Sequence, residues 1–234
     1  MHACKLQSAH GISAASLHGS EDFGIATLDG ISFYKDLLYK RVVDHDGQVV
    51  GAICDLATWQ PNGTIDNPTV QRLVIRPHRV RGTASGRPRE PLVLAWDLVE
   101  ALEHQHIRLR QTQTELAPSS LEAGQILLRK HIMDQQIVDC RGLKLHRVND
   151  IAMGFSDGTL QVLGMDTGIR GFVTRLAHRW GLLRILRPLH DRLHQRLICW
   201  DFVERVEPGR GHIRLRLSRD EVRSAILQAP PSVN

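Results

Sequence analysis

His190 and His194, four residues apart in the phrase HDRLH, are the first candidates for chemistry in this chain. On a helix that spacing sets two imidazoles on one face, an arrangement suited to a metal ion. A metalloprotease of this type needs Glu after the first His and a third ligand, and neither is evident. A helix in a chain with 13 histidines produces such a pair easily. Asp44 and Asp46 read as a turn rather than a carboxylate dyad, because a related stretch later in the chain has Arg141 where Asp46 stands. Asp55 and Asp150 each follow apolar strand residues, where Asp more often caps the next turn than catalyses. Four cysteines, Cys4, Cys54, Cys140 and Cys199, lack metal-binding CxxC spacing. Cys54 and Cys199 fall in strand-like runs as small hydrophobes, which points to a reducing cytosol. There is no Gly-rich phosphate loop, nucleophile elbow or recognisable Cys/His pair. The expectation is a protein without enzymatic activity, cofactor or metal.

These residues sit in a framework that the chain writes twice. Arg41 to Ala57, RVVDHDGQVVGAICDLA, is answered by Gln136 to Ala152, QIVDCRGLKLHRVNDIA. Asp44, Gly47 and Asp55 map onto Asp139, Gly142 and Asp150, each 95 positions on. Val70 to Ile75 is answered by Leu160 to Met165, Trp96-Asp97 by Trp200-Asp201, and His106 to Arg110 by His212 to Arg216. Four blocks in the same order, with length changes only between them, make a genuine internal repeat.

Within each copy an apolar run ends at Asp, Gly follows, and a second run begins, which is a β-hairpin signal. Gly47 and Gly142 are expected in positive φ. Trp96 and Trp200 are expected to be buried and to open a helical turn, with Asp97 and Asp201 at its N-cap. Five or six short strands per copy, some apolar on both faces, suit a small closed barrel.

The phrases VVDHDGQVVGAICDLA, VQRLVI and WDLVEAL, with IVDCRGLKLHRVNDIA, LQVLGM and WDFVERV, resemble the PRC-barrel family. That family includes the photosynthetic reaction centre H subunit and the ribosome maturation factor RimM. The linking phrases GQILLRKHIMDQQIVD and MDTGIRGFVTRL are similar to the N-terminal region of bacterial MgtE-like, magnesium-transporter-related proteins. The similarity runs from about Ser32 to Leu217. In those proteins a helical domain typically follows the barrels, and in the transporters a membrane pore. Reaching Asn234 soon after the second copy sets the expectation that this chain is not the transporter itself.

The expected fold is therefore mainly β, two small PRC-type β-barrels in tandem, with a basic helical insertion in the second. Residues 1–31 read as a disordered lead-in without a signal peptide. The barrels are placed at 32–111 and 125–220, with a linker at 112–124, the insertion at 169–197 and a C-terminal tail at 221–234. A lone barrel of about 80 residues buries only about 60–65% of its unfolded surface, so the two should pack together. No apolar run is long enough to span a bilayer.

Two basic stretches are the candidate contacts. Pro77 to Pro91, PHRVRGTASGRPREP, is a loop with four Arg that reads as a phosphate grip or a solvated insertion. In Ile169 to Leu197 apolar residues follow helical spacing to a break at Pro188, with a second short helix to Leu197. Arg170, Arg175, Arg179, Arg184 and Arg187 lie on the opposite faces, suited to an acidic protein partner, anionic membrane or RNA. The MgtE-like resemblance implies a cytoplasmic docking, scaffolding or regulatory module linked to magnesium transport, its partner a membrane transporter or acidic helical domain. The alternative is an RNA- or ribosome-associated module, favoured by 30 Lys+Arg against 25 Asp+Glu and a pI near 9.3. Only 5 Phe, 4 Trp and 2 Tyr are available to stack on bases, which weighs against it.

Overall fold

The computed structural model describes residues 31–60, 67–78, 90–156, 158–168, 195–225 and 227–229, which fold mainly as β-strands. Strand β1 (Ile31–Ser32) leads into a tight π-helical turn, Phe33–Leu37. Then β2 (Arg41–Val43) forms a hairpin with the long β3 (Val49–Trp59). Asp44 builds its turn: the carboxylate accepts the Gln48 N–H at 2.7 Å and the carbonyl accepts the Gly47 N–H at 3.0 Å. Gly47 has φ +79°, where a Cβ would cost roughly 1–2 kcal/mol. In the second copy Asp139 accepts the Leu143 N–H at 2.8 Å, and Gly142 has φ +82°.

The pairing scheme recurs with the sequence. In the first copy β4 (Val70–Pro77), β5 (Leu92–Ala95), β6 (Val99–Leu102) and β7 (His106–Leu109) complete the order β5-β4-β3-β2-β7-β6. The β2–β7 pair is parallel and its neighbours are antiparallel. Bulges in the β3–β4 ladder, between Ile53 and Asp55 and between Ala57 and Thr58, curl this sheet.

The second copy comprises β9 (Gln136–Val138), β10 (Lys144–Arg147), β11 (Asp150–Ser156), β12 (Thr159–Asp166), β13 (Gln195–Cys199), β14 (Val203–Glu207) and β15 (His212–Leu215). It keeps the order β13-β12-β11 and β10-β9-β15-β14, with β9–β15 again parallel. The continuous β3 of the first copy is here broken between β10 and β11, at Val148 and Asn149.

The copies are joined by exchange. Strand β1, which precedes the first copy, pairs with β11 of the second, Ser32 opposite Ala152. Strand β8 (Gln125–Leu127), which precedes the second copy, pairs with β3 of the first, Leu127 opposite Ala57. Moving Ala57 and Ser32 on by 95 gives Ala152 and Leu127, so the two pairings are one arrangement related by the repeat. The turn after each strand anchors it. Phe33 and Leu37 in one, Leu128 and Ile132 in the other, are all fully buried. The apolar core is consequently a single cluster drawing on both copies, from Ile31 to Val222. Further ties cross the junction, where the Pro68 carbonyl accepts the Val162 N–H at 3.0 Å and Gln60 Nε2 donates to the Val206 carbonyl at 2.9 Å.

Several sequence expectations change. Ile31 is not part of a lead-in but a buried strand residue. The expected second helix does not extend to Leu197, because Gln195–Cys199 is a strand paired with β12 and with β16 (Leu227–Ala229). The stretch after the second copy holds a helix, Arg219–Ala225, and β16. Each Trp-Asp does open a short helical turn, Trp96–Leu98 and Trp200–Phe202. The N-caps, however, are Ala95 and Cys199, because each turn begins at the tryptophan itself; Asp97 and Asp201 lie inside. Cys54 and Cys140 are free thiols.

Trp200 is buried at 3% exposure, but Trp96 is only half-buried at the edge of the core. Trp200→Ala should therefore cost about 3–5 kcal/mol, as for other core aromatics, and Trp96→Ala clearly less. Urea unfolding of the two variants checks this, and equal losses would contradict the difference in burial.

Candidate functional site

Asp55 and Asp150 are expected from sequence to cap the turns that follow them. The structure gives them a different task, because each grips the exchanged segment of the other copy. Asp55 Oδ1 accepts the N–H of Leu56 at 2.8 Å and of Arg129 at 2.7 Å, and Oδ2 accepts that of Lys130 at 3.1 Å. Arg129 and Lys130 belong to the helical turn Leu128–His131, whose N-cap Leu127 has no side chain able to cap it. The carboxylate 74 residues away fills that role.

Asp150 repeats the grip with one change. Its Oδ1 accepts the N–H of Ile151 at 2.7 Å and of Tyr34 at 3.0 Å. Its Oδ2 accepts the Ser32 hydroxyl, and that hydroxyl in turn accepts the Lys35 N–H at 3.0 Å. Ser32 thus relays a bond that Asp55 makes directly. A second contact is shared: Ser32 N–H donates to Asp36 at 2.8 Å, and Leu127 N–H to His131 Nδ1 at 3.1 Å. Burial, with Lys130 beside it, holds His131 below its ordinary pKa, consistent with a neutral ring whose Nδ1 accepts.

The exchanged turns face each other across a cleft of about 840 Å³. Its walls hold three pairs of positions related by the repeat: Tyr34 with Arg129, Leu38 with Met133, and Tyr39 with Asp134. Cys54, Asp55 and Arg76 add to the lining from the first copy. A second hollow of about 490 Å³ shares Tyr34, Leu38 and Tyr39 and carries Lys35, Lys40 and Arg41. Burial raises the Cys54 thiol, with Asp55 adding to the effect, so the thiol stays protonated. Burial also lifts Asp55 from an ordinary 3.8 to about 6, although three backbone donors pull the other way. Asp150 is raised by the same cause.

The remaining candidates divide by position. Asp44, Gly47, Asp139 and Gly142 form the two hairpin turns, and no group of three or more His, Cys, Asp or Glu suited to a metal ion occurs among the described residues. Arg170, Arg175, Arg179, Arg184 and Arg187, the pair His190 and His194, and most of the Pro77–Pro91 loop lie outside the described residues. Sequence reasoning missed Tyr39, Arg129 and Lys130. The signal for them is the apolar spacing of Ile31, Phe33, Leu37 and Leu38, which Ile126, Leu128, Ile132 and Met133 repeat 95 positions on.

Fold and site together define a mainly-β protein of two repeated units that exchange their leading segments. No protein-family model matches the chain, and no curated protein matches it significantly. Among the described residues no helix is long and apolar enough to cross a membrane.

Asp55→Ala leaves the Arg129 and Lys130 N–H groups unmet and should cost about 1–3 kcal/mol. The raised pKa gives a pH signature. The folded chain retains a proton on Asp55 that the unfolded chain loses at about 3.8, so the contribution of Asp55 is greatest below 3.8 and falls as pH rises through about 6. The stability of wild type relative to Asp55→Asn should decline across that window and level off above it. A difference that stays flat would show Asp55 titrating at its ordinary value.

Proposed function

We propose that this protein is a docking, scaffolding or regulatory module, not an enzyme, built from two PRC-type barrels in tandem and linked to magnesium transport. The observation that carries the reading is the reciprocal exchange of β1 and β8. It ties two repeated units into one body with a common core, and such a body presents its outer surfaces at fixed spacing. The repeated buried carboxylates Asp55 and Asp150 are engaged in holding backbone. The likeness to the N-terminal region of bacterial MgtE-like proteins supports the partner class, a membrane transporter or an acidic helical domain met in the cytoplasm. Arg170, Arg175, Arg179, Arg184 and Arg187 of the basic insertion provide the contact.

Replacing Arg175, Arg179 and Arg184 together with Gln tests this. Each charge is worth about 1 kcal/mol near an anionic surface, so binding should weaken about a hundredfold while the melting temperature holds. Pull-down with an acidic helical partner and co-sedimentation with anionic vesicles provide the readouts. Equal binding by wild type and variant would remove the insertion from the contact. A salt-dependent mobility shift with RNA, in the absence of protein binding, would favour the RNA- or ribosome-associated reading instead.

A further inference from the structure

Tyr39 and Asp134 are the only described residues other than glycine with positive φ, at 67° and 63°. They occupy equivalent positions, each just past an exchanged turn, and their N–H groups donate to Ile53 and Val148 carbonyls at 2.9 and 3.0 Å. The repeat therefore explains the backbone conformation but not the choice of side chain. Asp tolerates a left-handed backbone, whereas a bulky aromatic residue there is strained. That strained tyrosine is also 52% exposed and lines the cleft. One side of its ring is faced by the Arg129 guanidinium, 5.6 Å from the ring centroid.

The rest of the lining points the same way. Arg76, Arg129 and Lys130 supply three cations, while Leu38, Val74 and Met133 supply apolar wall. Of the two carboxylates in the lining, Asp55 is buried with its oxygens committed to backbone N–H groups, and Asp134 is exposed, so the three cations still outnumber the carboxylates. A volume of about 840 Å³ is in the range of small-molecule sites, which combine apolar walls with a few placed polar groups. The unit related by the repeat lacks the set, since Arg129 corresponds to Tyr34, Tyr39 to Asp134 and Cys54 to Asn149. The cleft has become a single asymmetric site.

We infer that this cleft binds a small organic anion with a planar apolar body, a class that includes aromatic carboxylates and nucleoside monophosphates. Tyr39 forms the wall against which the planar body lies, and Arg76, Arg129 and Lys130 receive the anionic group. The site is independent of the docking surface proposed above, since it uses none of Arg170, Arg175, Arg179, Arg184 and Arg187.

Isothermal titration of the full chain with phthalate, adenosine monophosphate and inorganic phosphate tests the inference. Either planar anion should bind and inorganic phosphate should not; the two planar probes separate the carboxylate from the phosphate source. Arg129→Ala should weaken the binding about tenfold. Tyr39→Phe should leave it intact. Tyr39→Asn should weaken it similarly while raising Tm by about 2–4 °C, because Asn accepts the left-handed backbone. Arg223→Ala, away from the cleft, should change nothing. No binding by either planar anion, or binding unaffected by both Arg129→Ala and Tyr39→Asn, would overturn the proposal. A fall in Tm with Tyr39→Asn would show that the tyrosine is kept for stability and would overturn its part.

Discussion

A carboxylate accepting backbone N–H groups from a segment that precedes the other copy is the contact on which this structure turns. Strands β1 and β8 have two and three residues. Ladders that short are marginal by themselves. Each is completed by a turn whose first N–H groups would otherwise lack partners at the junction between copies. Asp55 and Asp150 satisfy those groups, and the same turns drive Phe33, Leu37, Leu128 and Ile132 into the core. Polar and apolar parts depend on each other, since the anchors cannot be buried unless the turn's backbone is satisfied.

The exchange also explains where the cleft lies. Two turns related by the repeat approach one another across it, so three wall positions of one leading segment, Tyr34, Leu38 and Tyr39, have counterparts on the other, Arg129, Met133 and Asp134. Identical side chains would have given a symmetric hollow. Divergence at two of these pairs, Tyr39 against Asp134 and Arg129 against Tyr34, sets an exposed aromatic ring of one leading segment beside a cation of the other. Duplication supplies the frame, and substitution within it makes the two halves chemically distinct.

Much of the frame was legible in the sequence because a hairpin is a local matter. Asp44 and Gly47 are separated by two residues, and their effect on the backbone needs no knowledge of the rest of the chain. The same holds for the helical turn at each Trp-Asp. Burial of Trp96 was not legible, because it depends on how far the edge of the common core reaches. The latch was invisible for the same reason: an Asp at the end of an apolar run looks the same whether it caps the next residue or a turn 74 positions away. What could have been read is the apolar spacing of the two leading segments. Their identities differ at nearly every position, so similarity by residue type conceals a match in pattern.

Burying two carboxylates carries a cost, visible in the upward shift of both. An apolar contact of similar size would avoid it but could not set the register. In a ladder of two or three residues, sliding by one turns every side chain to the opposite face, and apolar packing alone discriminates weakly between such alternatives. A carboxylate with fixed donor directions does discriminate. At Asp55, Oδ1 meets Arg129 and Oδ2 meets Lys130, so a slip of one residue would leave an oxygen and an N–H unmatched. The penalty for an unmatched buried polar group is about 1–3 kcal/mol, large against the stability of so short a strand. The buried carboxyl group, through its two acceptor oxygens, is thus the feature that holds Leu127 opposite Ala57 and Ser32 opposite Ala152, and with them the geometry of the cleft.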